Sequence, residues 1–458
     1  MARADGSRVE RTAGEREARE RYTLAEGADE HVVLDVGHFI GELDILDGEV
    51  TYDAERNEVR GHSTFAGGYS NRFGGMTVYF VARLEQTPTD AGVWSEGVLS
   101  DATTMRGTAA GAFFAFAERS VEIAVGLSFS DVEHAAMNLE AESENFDDMR
   151  SATRDAWEPV LERALITART EREHRLFYSA LYRSLLMPTL ASDVDGTYRG
   201  FDGALHSVHR DGLESFRYYT DHSLWDTFRT QGPLLSLLYP ELQRDMVESL
   251  MAMARDGGFV PRWPLGTGYT GGMAGDSADI WFGDAYLKGV PFDVTEAYAL
   301  LRTTAMGPTP EGAAFGGRKG IASYMTLGWV PTDEGSWTAA HTLEFAYDDA
   351  VLAVLAEAAG ATEDAALLRA RGDNWRNLYD PASEFLLGRA ADGSFPAEPN
   401  LDTWQDYYAE GTAWQYLWYV PHDLLGLADA MGGEAVMHAR LLEFFERSKR
   451  NRLGPEFP

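Results

Sequence analysis

The chain has 458 residues, no cysteine and a net charge of −34, which results from 73 acidic and 39 basic residues. The absence of cysteine excludes disulfides, thiolate nucleophiles and cysteine-based zinc sites. So large an excess of negative charge argues against nucleic-acid binding, which needs clustered basic residues. Only three basic residues are lysines: Lys288, Lys319 and Lys449. Acidic, lysine-poor surfaces are typical of proteins adapted to high salt, where self-repulsion is screened. A GC-rich genome would explain the preference for arginine but not the excess of acidic residues.

The length predicts two or three domains. No apolar run approaches the roughly 18–20 residues that a membrane-spanning helix needs. The charged start, MARADGSRVERTAGEREARERY, lacks the apolar stretch of a secretory signal. Two interpretations of this start stay open: a cytosolic protein, or a fragment whose natural start lies upstream.

Residues from about 30 to 130 are predicted to form an all-β sandwich. Short runs of β-branched and aromatic residues are separated there by Gly, Asp and Asn, as is typical of strands joined by turns. The runs are HVVLDVG, VTYDA, EVRGHSTF, MTVYFVARL and SVEIAVGLSF. The segment GGYSNRFGG, from Gly67 to Gly75, lacks the lysine and the following helix of a phosphate-binding loop, and we interpret it as a turn.

The pattern changes near Ser143, after which apolar residues recur at helical spacing. Thr170 followed by Glu173 is a capping-box signature for the start of a helix. Helices are predicted over MRSATRDAWEPVLERALI, over TEREHRLFYSALYRSLLMPTL, and over residues 234–256, 276–288, 293–306, 342–359, 362–378 and 412–431. We therefore predict a β-sandwich domain over residues 1–142, followed by an all-α domain of the (α/α)6-toroid type over residues 143–458.

Long loops in the helical part combine aromatic residues with carboxylates and arginines. Aromatic rings pack on the apolar face of a sugar ring, while Asp, Glu and Arg form hydrogen bonds with its hydroxyls. Four such loops in one helical region favour a carbohydrate site over ordinary packing. The loops are YYTDHSLWDTFRT, GGFVPRWPLGTGYTGGMAGDSADI, DEGSWTAAHTLEFAYDD and YYAEGTAWQYLWYVPHD.

Glu410 is the candidate general acid of this site. Glycoside hydrolysis needs two carboxyl groups, one of them protonated near neutral pH. Tyr407, Tyr408, Trp414 and Tyr416 surround Glu410 in the sequence, and an apolar setting raises the pKa of a carboxyl group by desolvation. The alternative is an acidic residue that stabilises the N-terminus of a helix, since a helix is predicted to begin just after it.

Two further pairs of charged residues leave alternatives open. Asp226 and Arg229 are spaced i, i+3 in LWDTFRT, which fits either an exposed ion pair of little energetic value or a fixed donor–acceptor pair in a sugar pocket. Asp348 and Asp349 carry the same ambiguity, and we expect at most one of them to face the site because adjacent helical residues point in different directions. Three histidines in these loops lack metal-binding spacing and are interpreted as separate hydrogen-bonding groups: His222, His341 and His422. The absence of GxSxG gives a serine triad no support.

In chain order, five segments resemble motifs of glycoside hydrolase family 92, whose members are exo-acting, calcium-dependent, inverting α-mannosidases. The segments are FYSALYRSLLMPTL, SLWDTFRTQGPLLSLLYPE, GFVPRWPLGTGYTGGMAGDSAD, HTLEFAYDD and EGTAWQYLWYVPHDLLGLADAMGG. The resemblance is specific from about Trp157 to Phe445 and weaker before that. It implies hydrolysis of terminal α-linked mannose from mannosides such as N-glycans or mannan, calcium as cofactor, and an extracellular or periplasmic location.

The resemblance also assigns roles to individual residues. Glu410 corresponds to the general acid, and Asp226 and Arg229 correspond to residues expected to bind the hydroxyls of the terminal mannose. Trp225 and Trp414 are predicted as further substrate-binding residues of the same motifs.

Two family segments have no counterpart between Glu410 and the end of the chain at Pro458. They are an HGNEP-type segment, which helps to bind calcium and sugar, and a GNdDxGQ-type segment, which carries the water-activating aspartate. We therefore expect a family member truncated at both ends, with an incomplete toroid, no assigned metal ligands and no activity of its own. A non-catalytic carbohydrate-binding remnant and another (α/α)-toroid glycosidase remain as alternatives, and the oligomeric state stays undetermined.

Overall fold

The structure is a computed structural model. It describes residues 6–26, 31–39, 41, 43–142, 145–209, 214–308 and 316–449. These residues form two compact units. The first contains the residues up to His222 together with 264–270, and the second contains 223–263 together with the residues from 271 onward.

Two antiparallel sheets make up the sandwich of the first unit. Their strands are β1 (Arg8–Ala13), β2 (Glu17–Thr23), β3 (His31–Asp35), β4 (Asp44–Asp53), β5 (Glu58–Ala66), β6 (Met76–Leu84), β7 (Asp90–Ser95), β8 (Val98–Ser100), β9 (Thr104–Arg106), β10 (Ala110–Ala115) and β11 (Ser120–Ser128). The larger sheet has the order β1-β2-β11-β6-β5-β4-β9 and the smaller sheet the order β3-β10-β7-β8. The five predicted strand segments all form strands. The segment between Gly67 and Gly75 forms a short 3-10 helix.

The alternation of side chains along β11 shows how the larger sheet is covered on both faces. Val121 and Ile123 are buried in one apolar cluster with Val93 and Phe114 of the smaller sheet. Ala124 points to the opposite face, where it belongs to a separate cluster formed with a helix. The sandwich core therefore lies between the two sheets, and the outer face of the larger sheet is covered as well.

Strands β1 and β2 were not predicted, because they lack the apolar and β-branched runs that are typical of strands. Their sequences, RVERTA and EARERYT, are rich in charge. Ion pairs allow these charges to lie in a sheet: Arg19 lies 2.7 Å from Glu17, with both side chains almost fully buried, and Arg21 lies 2.7 Å from Glu122 of β11.

Helices α1 (Val132–Glu140), α2 (Phe146–Leu161) and α3 (Glu171–Arg183) belong to the first unit. Ala135 and Leu139 of α1 pack on the larger sheet, and Asp147 of α2 forms an ion pair with Arg21 of β2 at 2.7 Å. Helix α1 begins at Val132, before the predicted boundary at residue 142, and the compact units divide at His222. Ser143 itself lies outside the described residues.

The predicted start of α3 is found, with a small variation on the capping box. The Thr170 hydroxyl accepts a hydrogen bond from the backbone N–H of Glu173 at 3.2 Å. The Glu173 carboxylate accepts one from the backbone N–H of Arg169 at 3.1 Å, one residue earlier than in the standard motif.

The second unit is helical. Its helices are α4 (Leu224–Thr227), α5 (Gln231–Leu238), α6 (Pro240–Gly257), α7 (Ala278–Leu287), α8 (Val294–Ala305), α9 (Ile321–Leu327), α10 (Thr338–Ala358), α11 (Thr362–Gly372), α12 (Ala413–Tyr416), α13 (Leu424–Ala430) and α14 (Glu434–Lys449). The predicted order of a β-sandwich followed by helices is confirmed. In the part of the chain that the structure describes, no helix has the length and hydropathy of a membrane span.

Prolines divide two of the predicted helices. The helix predicted over 234–256 is interrupted where Pro240 begins α6 at the first helical position, which proline tolerates because its missing N–H would have no partner there. The helix predicted over 412–431 is divided into α12 and α13, with Pro421 between them. Four helices lie outside the predicted ones: α1, α4, α9 and α14.

Helix α10 is packed against α7, α8 and α11, and a buried ion cluster holds it there. Arg318 is 4% exposed; it donates hydrogen bonds to Asp349 of α10 at 2.6 Å and to Asp279 of α7 at 2.7 Å, and it reaches Asp276 at 3.4 Å. Arg371 of α11 lies 2.7 Å from Asp349. The cluster therefore ties three helices together inside the unit.

Asp348 and Asp349 are both fully buried in this region. One oxygen of Asp348 accepts a hydrogen bond from the backbone N–H of Asp276 at 2.7 Å. Burial raises the pKa of Asp348 and that of Asp279 well above the ordinary value of an aspartate. Both residues contact the internal ion cluster, and Asp349 also accepts a hydrogen bond from the Tyr324 hydroxyl at 3.1 Å.

We expect Arg318→Met to destabilise the second unit by about 3–5 kcal/mol, because it leaves buried carboxylates without their counter-charge. Arg369→Met is the control, since Arg369 pairs with Glu357 at the surface and should cost less than about 1 kcal/mol. Urea unfolding followed by tryptophan fluorescence measures both changes. Equal destabilisation of the two variants would show that the cluster does not hold the helices together.

Candidate active site

The side chain of Glu344, on α10, joins two separate segments of the second unit. It is 1% exposed. Its Oε1 accepts a hydrogen bond from the indole N–H of Trp225 at 2.9 Å, and its Oε2 accepts one from the hydroxyl of Tyr419 at 2.5 Å. The Arg229 guanidinium lies 4.0 Å from Oε1. One buried carboxylate therefore binds the segment around α4 to the segment that follows α12.

The neighbouring glycine-rich loop leaves room for this carboxylate. Gly275 has a φ of 74°, and a Cβ atom at this position would lie 2.8 Å from the Cβ of Glu344. Both facts favour glycine, which has no Cβ and adopts positive φ without strain. The buried Arg262 side chain supports the loop by donating hydrogen bonds to the carbonyls of Gly271 and Gly272.

Opposing effects act on the pKa of the Glu344 carboxyl group. Burial raises the pKa of its carboxyl group, while the hydrogen bond from Tyr419, the charge of Arg229 and the hydrogen bond from Trp225 partly offset the increase. Both carboxyl oxygens accept hydrogen bonds, one from Trp225 and one from Tyr419. The arrangement therefore uses Glu344 as a fixed acceptor inside the protein.

Arg229 lies among aromatic rings. Its guanidinium carbon is 5.0 Å from the ring centroid of Trp225, 4.6 Å from that of Phe228 and 5.1 Å from that of Tyr419. Contacts of this kind favour one orientation of the guanidinium plane. With its side chain 38% exposed, Arg229 is both held in place and able to donate hydrogen bonds to a ligand.

A cavity of about 460 Å³ lies beside Arg229 and Tyr419. Aromatic and apolar side chains dominate its lining, which also includes Asp284. The carboxylates of Asp226 and Glu410 are not part of this lining. The cavity therefore borders Arg229, Phe228 and Tyr419 but not the carboxylates of Asp226 and Glu410.

The loop that precedes Glu410 is held by two stacked tyrosines. The Tyr416 hydroxyl accepts a hydrogen bond from the N–H of Ala409 at 3.1 Å and donates one to its carbonyl at 2.6 Å. The Tyr408 and Tyr416 rings stack with their centroids 4.7 Å apart, and the Tyr408 hydroxyl donates to the carbonyl of Leu386. The backbone N–H and carbonyl of Ala409, the residue just before Glu410, are therefore both hydrogen-bonded to Tyr416.

Glu410 itself has a φ of 49°, in the left-handed region that a glutamate rarely adopts. Its side chain is exposed. Such backbone conformations occur often at functional sites, where surrounding contacts maintain them. The helix that follows, α12, is a single turn of four residues beginning at Ala413, so a dipole of a long helix does not explain Glu410.

The same loop is attached to the start of α10. The backbone N–H of Trp337, a residue with a φ of 64°, donates to the carbonyl of Asp406 at 2.7 Å. The N–H of Ala339 donates to the carbonyl of Tyr407 at 3.0 Å. Because α10 also carries Glu344, these bonds hold the Glu410 loop and Glu344 on one element.

Tyr416 brings the site residues into one electrostatic environment. Burial raises the pKa of its hydroxyl, and the negative charges of Glu344 and Glu410 raise it further, while Arg229 lowers it. Both carboxylates and the guanidinium therefore act on a single hydroxyl group. The Tyr416 ring centroid lies 6.3 Å from that of Tyr419, whose hydroxyl donates to Glu344, so the residue before Glu410 and the Glu344 carboxylate are linked through two neighbouring tyrosines.

Trp225 and Asp226 lie on α4, and Arg229 follows just after it. Asp226 is exposed and accepts a hydrogen bond from the Ser223 hydroxyl. The carboxylate near Arg229 is that of Glu344, at 4.0 Å. The roles assigned to these residues in sugar binding stay predictions.

Trp414 is placed differently. It is 3% exposed, its ring packs edge-on against Phe385 at 4.9 Å, and its indole N–H donates to Asp402 at 3.1 Å. Its sugar contact also stays a prediction, but the side chain as described lies in the hydrophobic core and offers little surface to a ligand.

The three histidines occupy separate environments. Burial lowers the pKa of His341, which stacks on Phe345, to about 3. His422 stacks on Tyr347 and contacts the carbonyl of Gly372 at 2.9 Å. Burial lowers the pKa of His222, in the first unit, to about 4.

No arrangement of three or more His, Asp or Glu side chains suited to a metal ion is found among the residues that the structure describes.

Glu344 was not singled out from the sequence, although its motif, HTLEFAYDD, was. The signal was present: it is the one acidic residue in the stretch TAAHTLEFA, and an acid in an apolar helix segment needs partners. Its partners, Trp225 and Tyr419, are 119 and 75 residues away, so the sequence alone did not identify them.

Comparison with known proteins adds two matches to family models. Residues 134–456 match the glycosyl hydrolase family 92 catalytic domain, and residues 2–128 match the glycosyl hydrolase family 92 N-terminal domain.

Solved structures and a curated protein are also similar to the chain. A family 92 inverting mannosidase from Bacteroides thetaiotaomicron is 28% identical with a TM-score of 0.87, and a family 92 α-mannosidase from the same organism is 26% identical with a TM-score of 0.86. Each match covers 96% of this chain and 58% of the other. An uncharacterized secreted glycosidase of Arthroderma benhamiae is 24% identical over 363 residues, which is 70% of this chain and 41% of that protein. The chain thus spans about three-fifths or less of the length of these relatives.

We expect Tyr416→Phe to destabilise the second unit by about 1–3 kcal/mol, because the buried N–H and carbonyl of Ala409 lose their partner. Tyr286→Phe is the matched control, since Tyr286 lies on α7 with 37% of its surface exposed and should change little. The free energy of unfolding in urea checks both. If Tyr416→Phe lowers the free energy of unfolding no more than the control does, the Tyr416 hydroxyl does not stabilise this loop.

Proposed function

The chain belongs to glycosyl hydrolase family 92, and on this basis we propose that the whole protein hydrolyses terminal α-linked mannose with inversion at the anomeric carbon. Two of the similar solved structures are those of mannosidases, which supports a mannoside as the substrate. The Tyr416 hydroxyl holds Ala409, next to Glu410, and the Tyr416 ring centroid lies 6.3 Å from that of Tyr419, which contacts Glu344 and Arg229. The observation that carries the proposal is this grouping of the exposed Glu410 with Arg229 and Glu344. It combines a carboxyl group for proton transfer with groups for sugar binding.

Glu410 is the general acid of the proposed reaction. It donates a proton to the glycosidic oxygen as the bond from that oxygen to the anomeric carbon breaks. Water attacks the anomeric carbon from the opposite face and loses its proton to a second carboxylate, which produces inversion. We assign no base among the described residues. The clamp of Tyr416 on Ala409 supports Glu410 in this role, because a general acid must be held within hydrogen-bond distance of the leaving oxygen.

Trp225, Asp226 and Arg229 bind the terminal mannose in this proposal. The indole of Trp225 offers an apolar face to the ring. The Asp226 carboxylate accepts hydrogen bonds from hydroxyls, and the guanidinium of Arg229 donates them. The aromatic contacts of Arg229 support this role, because a guanidinium held in place before binding loses less entropy when a ligand arrives.

The proposal also covers the natural substrates, the location of the protein and its cofactor. N-glycan or mannan ends are the proposed substrates, and the location is extracellular or periplasmic, consistent with the similar protein that is described as secreted. Calcium is proposed as cofactor from the family resemblance alone, and no step above depends on it.

We expect Glu410→Gln in the full-length protein to lower kcat by about 10²–10⁴-fold on mannosides with poor leaving groups, because proton donation is lost. Aryl mannosides with good leaving groups should be affected much less, since their departure needs little protonation. Steady-state kinetics on both substrate types measures the difference.

Glu398→Gln is the control for this variant, because Glu398 is an exposed acid of the same loop region. Unchanged hydrolysis of poor-leaving-group substrates by Glu410→Gln would overturn the assignment. Tight mannoside binding by the wild type without any turnover would instead favour a carbohydrate-binding protein.

We expect EDTA to abolish mannose release by the full-length protein, and excess Ca²⁺ to restore it better than Mg²⁺, because calcium accepts six to eight oxygen ligands in flexible geometry. Release of mannose from mannobiose, followed before and after chelation, measures the effect. Full activity in EDTA would remove calcium from the proposal and leave the mannosidase assignment standing.

A further inference from the structure

We propose that Glu344 is a positioning residue, which holds the indole of Trp225 and the guanidinium of Arg229 in the orientation that a terminal sugar requires. The inference deepens the proposed function and rests on it. Glu344 does not touch the substrate in this proposal. It acts through the two side chains whose exposed surfaces do.

The hydrogen bonds of Glu344 lead to the proposed sugar-binding segment. Trp225 donates to one oxygen at 2.9 Å, and Tyr419 donates to the other. Tyr419 in turn supports Arg229, whose guanidinium carbon lies 5.1 Å from its ring centroid. The carboxylate therefore holds two of the three rings that surround Arg229, those of Trp225 and Tyr419.

A carboxylate suits this position better than other polar side chains. The indole N–H of Trp225 donates only, and the hydroxyl of Tyr419 donates here as well. A carboxylate presents two acceptor oxygens, whereas an amide presents one oxygen and one NH₂ group. Arg229, 4.0 Å away, adds a positive charge that an ionised partner balances.

Stability gives little reason for a charge at this position. Glu344 is 1% exposed, and removing a carboxylate from water costs several kcal/mol unless its partners compensate fully. Arg229 is more than a third exposed, so solvent screens its attraction. A buried ionisable group whose partners lead to a ligand-binding surface is expected where function requires it.

Two substitutions of Glu344, both made in the full-length protein, distinguish the effect of its charge from the effect of its side-chain length. Glu344→Gln keeps the size but removes the charge and one acceptor. Glu344→Asp keeps the charge but withdraws the carboxylate by one methylene group. Thr342→Val is the matched control on α10, because the buried Thr342 hydroxyl accepts a hydrogen bond from the Val330 N–H and plays no part in the site.

Calorimetric titration with methyl α-mannoside and thermal unfolding test the proposal together. We expect both Glu344 variants to bind the mannoside at least about tenfold more weakly, as loss of a hydrogen bond to a charged group predicts. The melting temperature of Glu344→Gln should equal or exceed that of the wild type. Thr342→Val should show the opposite pattern, with a lower melting temperature and unchanged affinity.

The indole N–H resonance of Trp225 provides a readout that does not depend on ligand. In protein labelled with ¹⁵N-tryptophan, the signal is identified by its absence from Trp225→Phe. We expect it to shift in both Glu344 variants and to stay in place in Thr342→Val.

The outcomes distinguish this proposal from the one on which it rests. A wild type that neither binds nor hydrolyses mannosides defeats the proposed function, and the Trp225 resonance then decides whether Glu344 positions its neighbours. Unchanged mannoside affinity in both Glu344 variants overturns the positioning role, and so does an unmoved Trp225 resonance. A lower melting temperature with unchanged affinity assigns Glu344 to stability alone.

Discussion

The ion cluster around Arg318 is the interaction on which the helical unit depends. A guanidinium and several carboxylates are removed from water together, and each of them is tolerable only while the others are in place. The cluster fixes α10 against α7 and α11 through Asp349 and Asp279. Glu344 lies on the same helix, one turn before the cluster, and its position is therefore determined by packing inside the unit. The buried ion cluster therefore helps to fix the position of Glu344 and of the side chains that it binds.

From α10, hydrogen bonds extend outward to the surface groups. Glu344 holds Trp225 and Tyr419, and the start of the helix holds the loop that leads to Glu410. The buried charges thus support the exposed ones, and side chains at the surface are oriented before any ligand arrives. Pre-orientation of this kind lowers the entropy cost of binding and suits chemistry that requires an acid at a defined place. The left-handed backbone of Glu410 fits the same interpretation, because surrounding contacts hold the loop in a conformation that an isolated glutamate would avoid.

The differences between the predicted and the observed elements have several physical origins. Strands β1 and β2 were missed because ion pairs such as that of Arg19 with Glu17 allow charged residues in a sheet, and a hydrophobic pattern does not register such pairing. The helix predicted over residues 412–431 was too long because the effect of Pro421 was not considered. Helix α14 was missed as well, although its residues were within reach of the same pattern. The first compact unit extends past residue 142 to His222; within it Asp147 of α2 pairs with Arg21 of the sandwich, a contact that the order of elements does not reveal.

The sequence by itself determined the two classes of structure, a sandwich and then helices, because the periods of apolar residues are local properties of the chain. Ordered motifs also identified the family and the segment containing Trp225, Asp226 and Arg229, since these residues are neighbours along the chain. Only the tertiary structure showed that Trp414 lies in the core and that Glu344 links segments more than seventy residues apart. The reason is that burial and hydrogen-bond partnership across such distances arise from the packing of helices, which no local pattern encodes.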